Sequence, residues 1–390
     1  SCYAPGRHRS GDGRPGFMIK YIGSKRVLVP HIVRGVSAFP RSERVLDLFS
    51  GTSRVARGLK ASGRYVIAND HLSYAATLAR CYVQADAERW NDEATKLIEL
   101  LSRVPPEPGY FTKAFCEDAR YLQPGNGARV DAIREEIANM KLAPELEAIV
   151  LVSLMEAADR VDSTTGVQMA YLKKWAARSY NELGLRVPAL LPGPGRALQL
   201  EAVEAAAEVE ADVAYIDPPY NQHSYMGNYH VWETLIRWDA PESYGIANKR
   251  VQCKEYKSDF NSKRRIRQGL EAVFDAVRAK SLLVSFNNEG HIDREEMVEL
   301  LSQKGHVGVV AVDFKRYVGA QIGIHNPNGE KVGKVSHLRN KEYLFVVSER
   351  RAAVDAVVSA LRASIAEAAL ASSPSTRKRK SHESERRAGG

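Results

Sequence analysis

The chain has 390 residues, 44% of them hydrophobic and 26% charged, an ordinary balance for a globular protein with room for one large domain or two modest ones. No apolar run approaches the roughly 18 residues of a membrane-spanning helix, the polar start lacks the apolar stretch of a signal peptide, and the four scattered cysteines (Cys2, Cys81, Cys116, Cys253) form no C-x-x-C pair that would suggest a zinc site or disulfide framework. The formal charge of +9 gathers at the ends, with Arg7, Arg9 and Arg14 before Met18 and Arg377, Lys378, Arg379, Lys380, Arg386 and Arg387 in the last nineteen residues, so it permits nucleic-acid binding without establishing it.

In chain order, Met18 reads as a natural start, and residues 1–17 as an extension outside the fold. Residues 44–49 (RVLDLF) form an apolar strand ending in a Ser-Gly-Thr turn. A helix over 53–61, a strand over 65–68 and a helix through 83 follow. This alternation indicates a parallel, doubly wound sheet. A third strand is expected to end at Cys116, just before Glu117 and Asp118. Residues 122–209 break the rhythm with helices at 130–140 and 144–161 and a mixed stretch after them. Nearly ninety residues exceed an α/β connection, so they read as an inserted subdomain. The sheet resumes at 211–216, with later strands at 281–286, 307–317 and 342–347. The last two pair as a hairpin around a Gly-rich loop, a polar helix over 350–371 ends the fold, and 372–390 is a disordered basic tail.

The residues that carry chemistry sit at strand ends. Asp217-Pro218-Pro219-Tyr220 follows an apolar strand directly, where ligands bind in open α/β sheets. An exocyclic amino nitrogen conjugated to a ring is a poor nucleophile. The Asp217 carboxylate and the Pro218 carbonyl can accept from its two N–H groups and stabilise charge developing on it. The consecutive prolines hold both acceptors in place, and Tyr220 offers a face on which a base can stack. In the first strand and turn, Asp47, Phe49 and Gly51 form a candidate cofactor edge, Gly51 allowing close backbone approach. Asp70 ends the next strand, where a carboxylate binds ribose hydroxyls, and Asp118 would accept from a cofactor amino group.

Tyr21-Ile22-Gly23-Ser24-Lys25, then DLFSGTS, Asp70, DPPY and SFNNEG, in that order, resemble the D12-class (Dam-type) DNA adenine methylases. The resemblance implies that Tyr21 and Lys25 help to bind S-adenosylmethionine and that Asp217 lies between cofactor and target base. Its motif order is similar to that of the alpha group, whose target-recognition insert lies between the cofactor motifs and DPPY. One departure is Ser53, where the family often carries a second glycine. The implied protein is a Rossmann-like class I methyltransferase, with a catalytic domain over 18–121 and 210–371 and a mainly helical target-recognition insert over 122–209. It would transfer a methyl group to adenine N6 in flipped-out duplex DNA without a metal. It would work in the cytoplasm on nucleoid DNA, beside a cognate restriction endonuclease where one exists. Arg250, Lys254, Lys257, Arg264 and Arg265, with Lys263 and Arg267 among them, are the candidate phosphate contacts; Tyr225 and Tyr229 are candidates to hold an extruded base. Two further readings stay open at this point. One is methylation of RNA adenine or DNA cytosine N4 by the same tetrapeptide; the other is a non-catalytic DNA-binding protein on a methylase scaffold.

Overall fold

The computed structural model describes residues 18–222, 224–315 and 339–372. The extension 1–17, residues 316–338 with the whole Gly-rich hairpin loop, and the tail after Ser372 lie outside the described residues.

Seven strands form one sheet: β1 (Arg44–Asp47), β2 (Tyr65–Asn69), β3 (Gly195–Leu198), β4 (Glu210–Ile216), β5 (Arg278–Asn287), β6 (His306–Lys315) and β7 (Arg339–Ser348). Their spatial order is β3-β2-β1-β4-β5-β7-β6. The first five run parallel, and β7 enters antiparallel between β5 and β6. The order reverses between β1 and β4, leaving a crevice beyond their carboxyl ends, as in other Rossmann-like folds.

Both sheet faces are covered, as parallel sheets require. Val45, Val213, Leu283 and Val346 point to one face. They pack against α1 (Val29–Ser37), α2 (Arg54–Ala61) and α11 (Arg351–Ser372). Their neighbours Leu46, Ala214, Leu282 and Phe345 point to the other. There α7 (Ala202–Glu208), α9 (Ile266–Ala276) and α10 (Arg294–Ser302) cover them.

A third core lies beside the sheet. It gathers α3 (Ser73–Ala79), α4 (Ala87–Leu101), α5 (Pro124–Asn139), α6 (Pro144–Arg160) and α8 (His230–Arg237), with Met18 and Ile19 tucked into it. α6 is buried on every side through its middle, Ala148 to Asp159, and is the hub of this cluster. Among the described residues no helix is long and apolar enough to cross a membrane.

Two sequence expectations need correction. The strand expected before Cys116 is helical, Tyr110–Thr112 running into a wide turn over Lys113–Glu117. The Asp131 carboxylate decides this from outside the segment, accepting from the amides of Gly109, Phe111 and Thr112 at 2.8–2.9 Å and from the Thr112 hydroxyl at 2.6 Å. Those are the amides a helix start leaves free, and the apolar Phe111, Phe115 and Cys116 are buried among helices. The third sheet strand is instead Gly195–Leu198, within the segment assigned to the insert, so residues 122–209 do not stand apart from the catalytic core. They supply an edge strand, and α5 and α6 share one core with α3 and α8. The long excursion therefore falls between β2 and β3.

Candidate active site

The crevice beyond β1, β2, β3 and β4 holds a pocket of about 840 Å³ that opens to solvent. The turn after β1 forms its floor. Gly51 (φ 52°) and Ser53 (φ 60°) both take the left-handed conformation, which costs a side chain about 1 kcal/mol. That backbone would suit the second glycine that the resemblance leads one to expect, and Ser53 adopts it while fully buried. At Gly51 a Cβ would lie 3.4 Å from the Tyr21 ring, which leans over the turn.

Three carboxylates or amides fix the strand ends. Asp70 accepts from the Gly51 amide at 3.0 Å and from the Leu72 amide at 3.0 Å, tying the β2 end to the β1 turn. Asn69 bonds the carbonyls of Leu48 and Leu200 and accepts from the Leu200 amide, fastening β1 to the chain leaving β3. Asp47 accepts from the Ala56 amide (3.1 Å) and the Ser50 hydroxyl (3.2 Å) through one oxygen. Its other oxygen is buried with no hydrogen-bond partner. Burial, reinforced by the nearby Asp217 charge, pushes the Asp47 carboxyl up to about 8.

Asp217 stands at the end of β4 with its carboxylate 2.9 Å from Lys25 Nζ. Lys25, only 7% exposed, also contacts Glu342 at 2.7 Å. Burial raises the Asp217 carboxyl well out of the ordinary range against the opposing pull of Lys25, and Glu342 raises it further. Pro219 lines the pocket and Pro218 is buried behind it. The Tyr220 ring packs edge-on against Phe286 at 5.9 Å, with the Lys25 ammonium 5.7 Å from its centroid.

Of the proposed cofactor residues, Tyr21, Lys25, Asp47, Phe49, Gly51 and Asp70 all border this pocket together with Asp217. Asp118 does not. It lies on the exposed end of the Lys113–Glu117 turn, 2.9 Å from Lys113 Nζ. The misplaced third strand accounts for the error. The carboxylate that follows the true β3 and borders the pocket is Glu201.

Sequence reading also missed an aromatic strap. Tyr256, Ser258 and Phe260 border the pocket from the far side. Tyr256 stacks on His71 at 5.0 Å and reaches the Glu201 carboxylate with its hydroxyl at 3.4 Å. No strand alternation marks them, since Tyr256 and Ser258 are extended but Phe260 lies in a helical turn over Asp259–Asn261.

Tyr21 stacks between Tyr225 (5.1 Å, 9°) and Tyr229 (4.5 Å, 15°). Tyr225 borders the pocket. Tyr229 is buried, and its hydroxyl accepts from the Ile22 amide at 2.6 Å, so it braces the N-terminal segment and presents no face to a base.

The basic group divides in the same way. Lys254, Lys257, Lys263, Arg264 and Arg265 are exposed on and after the strap, Arg265 beside Asp259 at 2.8 Å. Arg267 is held by Glu271, Glu296 and Glu299. Arg250 is 1% exposed and grips Asp239 with both guanidinium nitrogens at 2.7 and 2.6 Å. It is a structural cation, and its assignment as a phosphate contact is withdrawn.

Comparison with known proteins adds to this geometry. The family described as D12 class N6 adenine-specific DNA methyltransferase matches residues 21–300. Modification methylase StsI of Streptococcus sanguinis is 31% identical over 331 residues, covering 78% of this chain and 50% of that protein. The type II methyltransferase M.NlaIII of Neisseria lactamica is 27% identical over 341 residues, 83% of this chain and 100% of that one. M.CviAII, a type II methyltransferase of Paramecium bursaria Chlorella virus 1, is 30% identical over 345 residues, 84% and 98%. The chain thus spans about half the length of the StsI methylase and nearly all of the other two.

Proposed function

The chain belongs to the D12 class of N6 adenine-specific DNA methyltransferases, and from that premise we propose that it transfers a methyl group from S-adenosylmethionine to the N6 amino group of adenine in duplex DNA. The observation that carries this reading is the convergence on one pocket of Asp217, Lys25, Asp47 and Asp70, brought from four separate segments.

The pocket suits the cofactor. Phe49 and Phe260 offer apolar faces to its adenine, Glu201 an acceptor for its 6-amino group, Asp70 an acceptor for ribose hydroxyls, and the Asp47 oxygen without a hydrogen-bond partner a further polar contact. When bound, S-adenosylmethionine supplies an electrophilic methyl group on a sulfonium. The chain's own residues do the rest. Asp217 accepts from one N–H of the target amine and the Pro218 carbonyl from the other, so the lone pair leaves conjugation and faces the methyl group. Tyr220 stacks on the extruded base, a contact worth about 1–3 kcal/mol, against an unstacking cost of a few kcal/mol. Transfer would be direct, the N–C bond forming as the S–C bond breaks, and the N–H proton held by Asp217 would then pass to solvent.

DNA approaches over the strap, where Lys254, Lys257, Arg264 and Arg265 face outward. It also meets the segment after α6, which exposes Met169, Lys173, Lys174 and Tyr180. That segment is tied to the stretch carrying Tyr225 and Tyr229, Gln168 donating from its amide to the Asn228 carbonyl at 2.7 Å. On this reading target recognition is assigned to that segment, the enzyme works on DNA in the cytoplasm, and a cognate restriction endonuclease is its partner where one exists.

Single-molecule sequencing of DNA from cells expressing the protein tests the reading. N6-methyladenine in a defined motif is the expected result, lost on Asp217→Ala with cofactor affinity changed no more than a few-fold. N4-methylcytosine, or methylated adenine confined to RNA, would replace it.

A further inference from the structure

Glu342 carries no motif and drew no attention in the sequence. It lies on β7, in register with Asn287 of β5, and is 1% exposed. Its Oε1 faces Lys25 Nζ at 2.7 Å and accepts a hydrogen bond from the Ser285 hydroxyl. On its other side Lys25 meets Asp217 at 2.9 Å. One buried ammonium therefore sits between two carboxylates, the three groups arriving from the N-terminal segment, the end of β4 and the antiparallel strand.

A lysine facing Asp217 alone would defeat the chemistry assigned to Asp217. The pair would be neutral, the carboxylate a weakened acceptor, and the ammonium would oppose positive charge growing on the target nitrogen. A second carboxylate on the same ammonium leaves the triad with a net charge of about −1. We propose that Glu342 is a positioning residue for methyl transfer: it takes up the charge of Lys25 and one of its N–H donors, so that Asp217 keeps its acceptor strength for the target amine. This rests on the adenine-methylation reading above.

The groups facing Asp217 are Lys25 from the N-terminal segment, Glu342 from β7, Asp47 from β1, Tyr215 from β4, Tyr220 from the tetrapeptide and Tyr225 from the stack on Tyr21. Of these only Glu342 raises the Asp217 carboxyl by charge near neutral pH, since Asp47 is itself pushed up to about 8 and Lys25 acts in the opposite sense.

The test compares wild type, Glu342→Gln and Glu342→Asp, with kcat and KM on DNA from pH 5.5 to 9 and a ¹³C-carboxyl titration of Asp217 assigned through Asp217→Asn. In Glu342→Gln, kcat on the alkaline plateau is expected to fall about tenfold with KM for DNA nearly unchanged, which is transition-state loss alone. Its acid limb and the Asp217 titration should both move down by about one pH unit, since a like charge has been removed. Glu342→Asp, which keeps the charge, should leave the limb within about half a unit of wild type. An unmoved limb and titration in Glu342→Gln overturn the proposal. Should Glu342→Gln melt below the assay temperature, Glu342→Asp decides: a limb shifted as far as expected for the glutamine variant overturns it, and one kept in place supports it. The titration needs no turnover, so a wild type that methylates another base would refute the adenine reading while the role of Glu342 was still decided.

Discussion

The ring of Phe260 meets that of Phe49 edge-on, with centroids 5.1 Å apart and planes at 83°. Phe49 lies in the turn after β1 and Phe260 belongs to the strap, so the contact closes the pocket with a segment that carries Lys257 and runs on to Arg264. Edge-to-face pairs contribute about 0.5–1.5 kcal/mol beyond their buried area. Phe260→Ala should therefore weaken S-adenosylmethionine binding about tenfold, with the melting temperature little changed. Calorimetric affinity within twofold of wild type would detach the strap from the cofactor.

Glu201 and Asp118 give opposite expectations. Glu201 borders the pocket within reach of the Tyr256 hydroxyl, and Asp118 pairs with Lys113 on the surface. A hydrogen bond to a charged acceptor contributes about 1.5–3 kcal/mol. Glu201→Gln should reduce cofactor affinity about tenfold and erase discrimination against an analogue lacking the 6-amino group, whereas Asp118→Asn should change neither. Competition binding between S-adenosylmethionine and the analogue lacking the 6-amino group reads both outcomes.

Asp47 couples the pocket to stability. Its folded carboxyl is raised to about 8 by burial and by Asp217, against an unfolded value of about 3.9. The folded state therefore binds the proton more tightly. The stabilisation this proton gives is complete below about pH 4 and lost progressively as pH rises towards 8. Asp47→Asn keeps an acceptor for the Ala56 amide and removes the ionisable group. Without cofactor, its melting temperature should gain on wild type steadily from pH 5 to 8.5. A constant difference across that range would show that Asp47 is not strained by ionisation.

How much of this was legible follows from how local each signal is. DPPY, the turn at Gly51 and the Tyr21–Lys25 segment are short strings whose neighbours in sequence determine their shape, and each brings residues to the pocket, DPPY through Asp217 and Pro219. β3 was missed because it is a four-residue edge strand with only Leu198 fully buried. Its place was given to the segment ending at Cys116, whose helical form depends on Asp131 farther along the chain. Glu201 was lost with that strand. Glu342 has no meaning until β7 is paired with β5 and turned towards Lys25. Arg250 looked like its basic neighbours because nothing nearby in sequence reveals that Asp239 and the Thr234 hydroxyl enclose it.

That difference between Arg250 and the strap separates folding from DNA binding. Arg250 is buried and held by Asp239 and Thr234, and breaking a buried pair costs about 3–5 kcal/mol. Asp239 is 31% exposed and regains water when its partner is removed, which places the loss at the low end, about 3 kcal/mol. Arg250→Ala should thus lower stability in denaturant unfolding, and whatever DNA binding it loses should follow the folded fraction. Lys257→Ala with Arg264→Ala removes two exposed charges from the strap. Stability should stay within about 0.5 kcal/mol of wild type. The slope of log affinity against log salt should become shallower by about 1.8, from two phosphate contacts of about 0.9 each. If the double variant kept the wild-type salt slope, the strap would not lie on the DNA path. Arg250→Ala would then be compared with substitutions at the exposed Lys173 and Lys174 of the segment after α6.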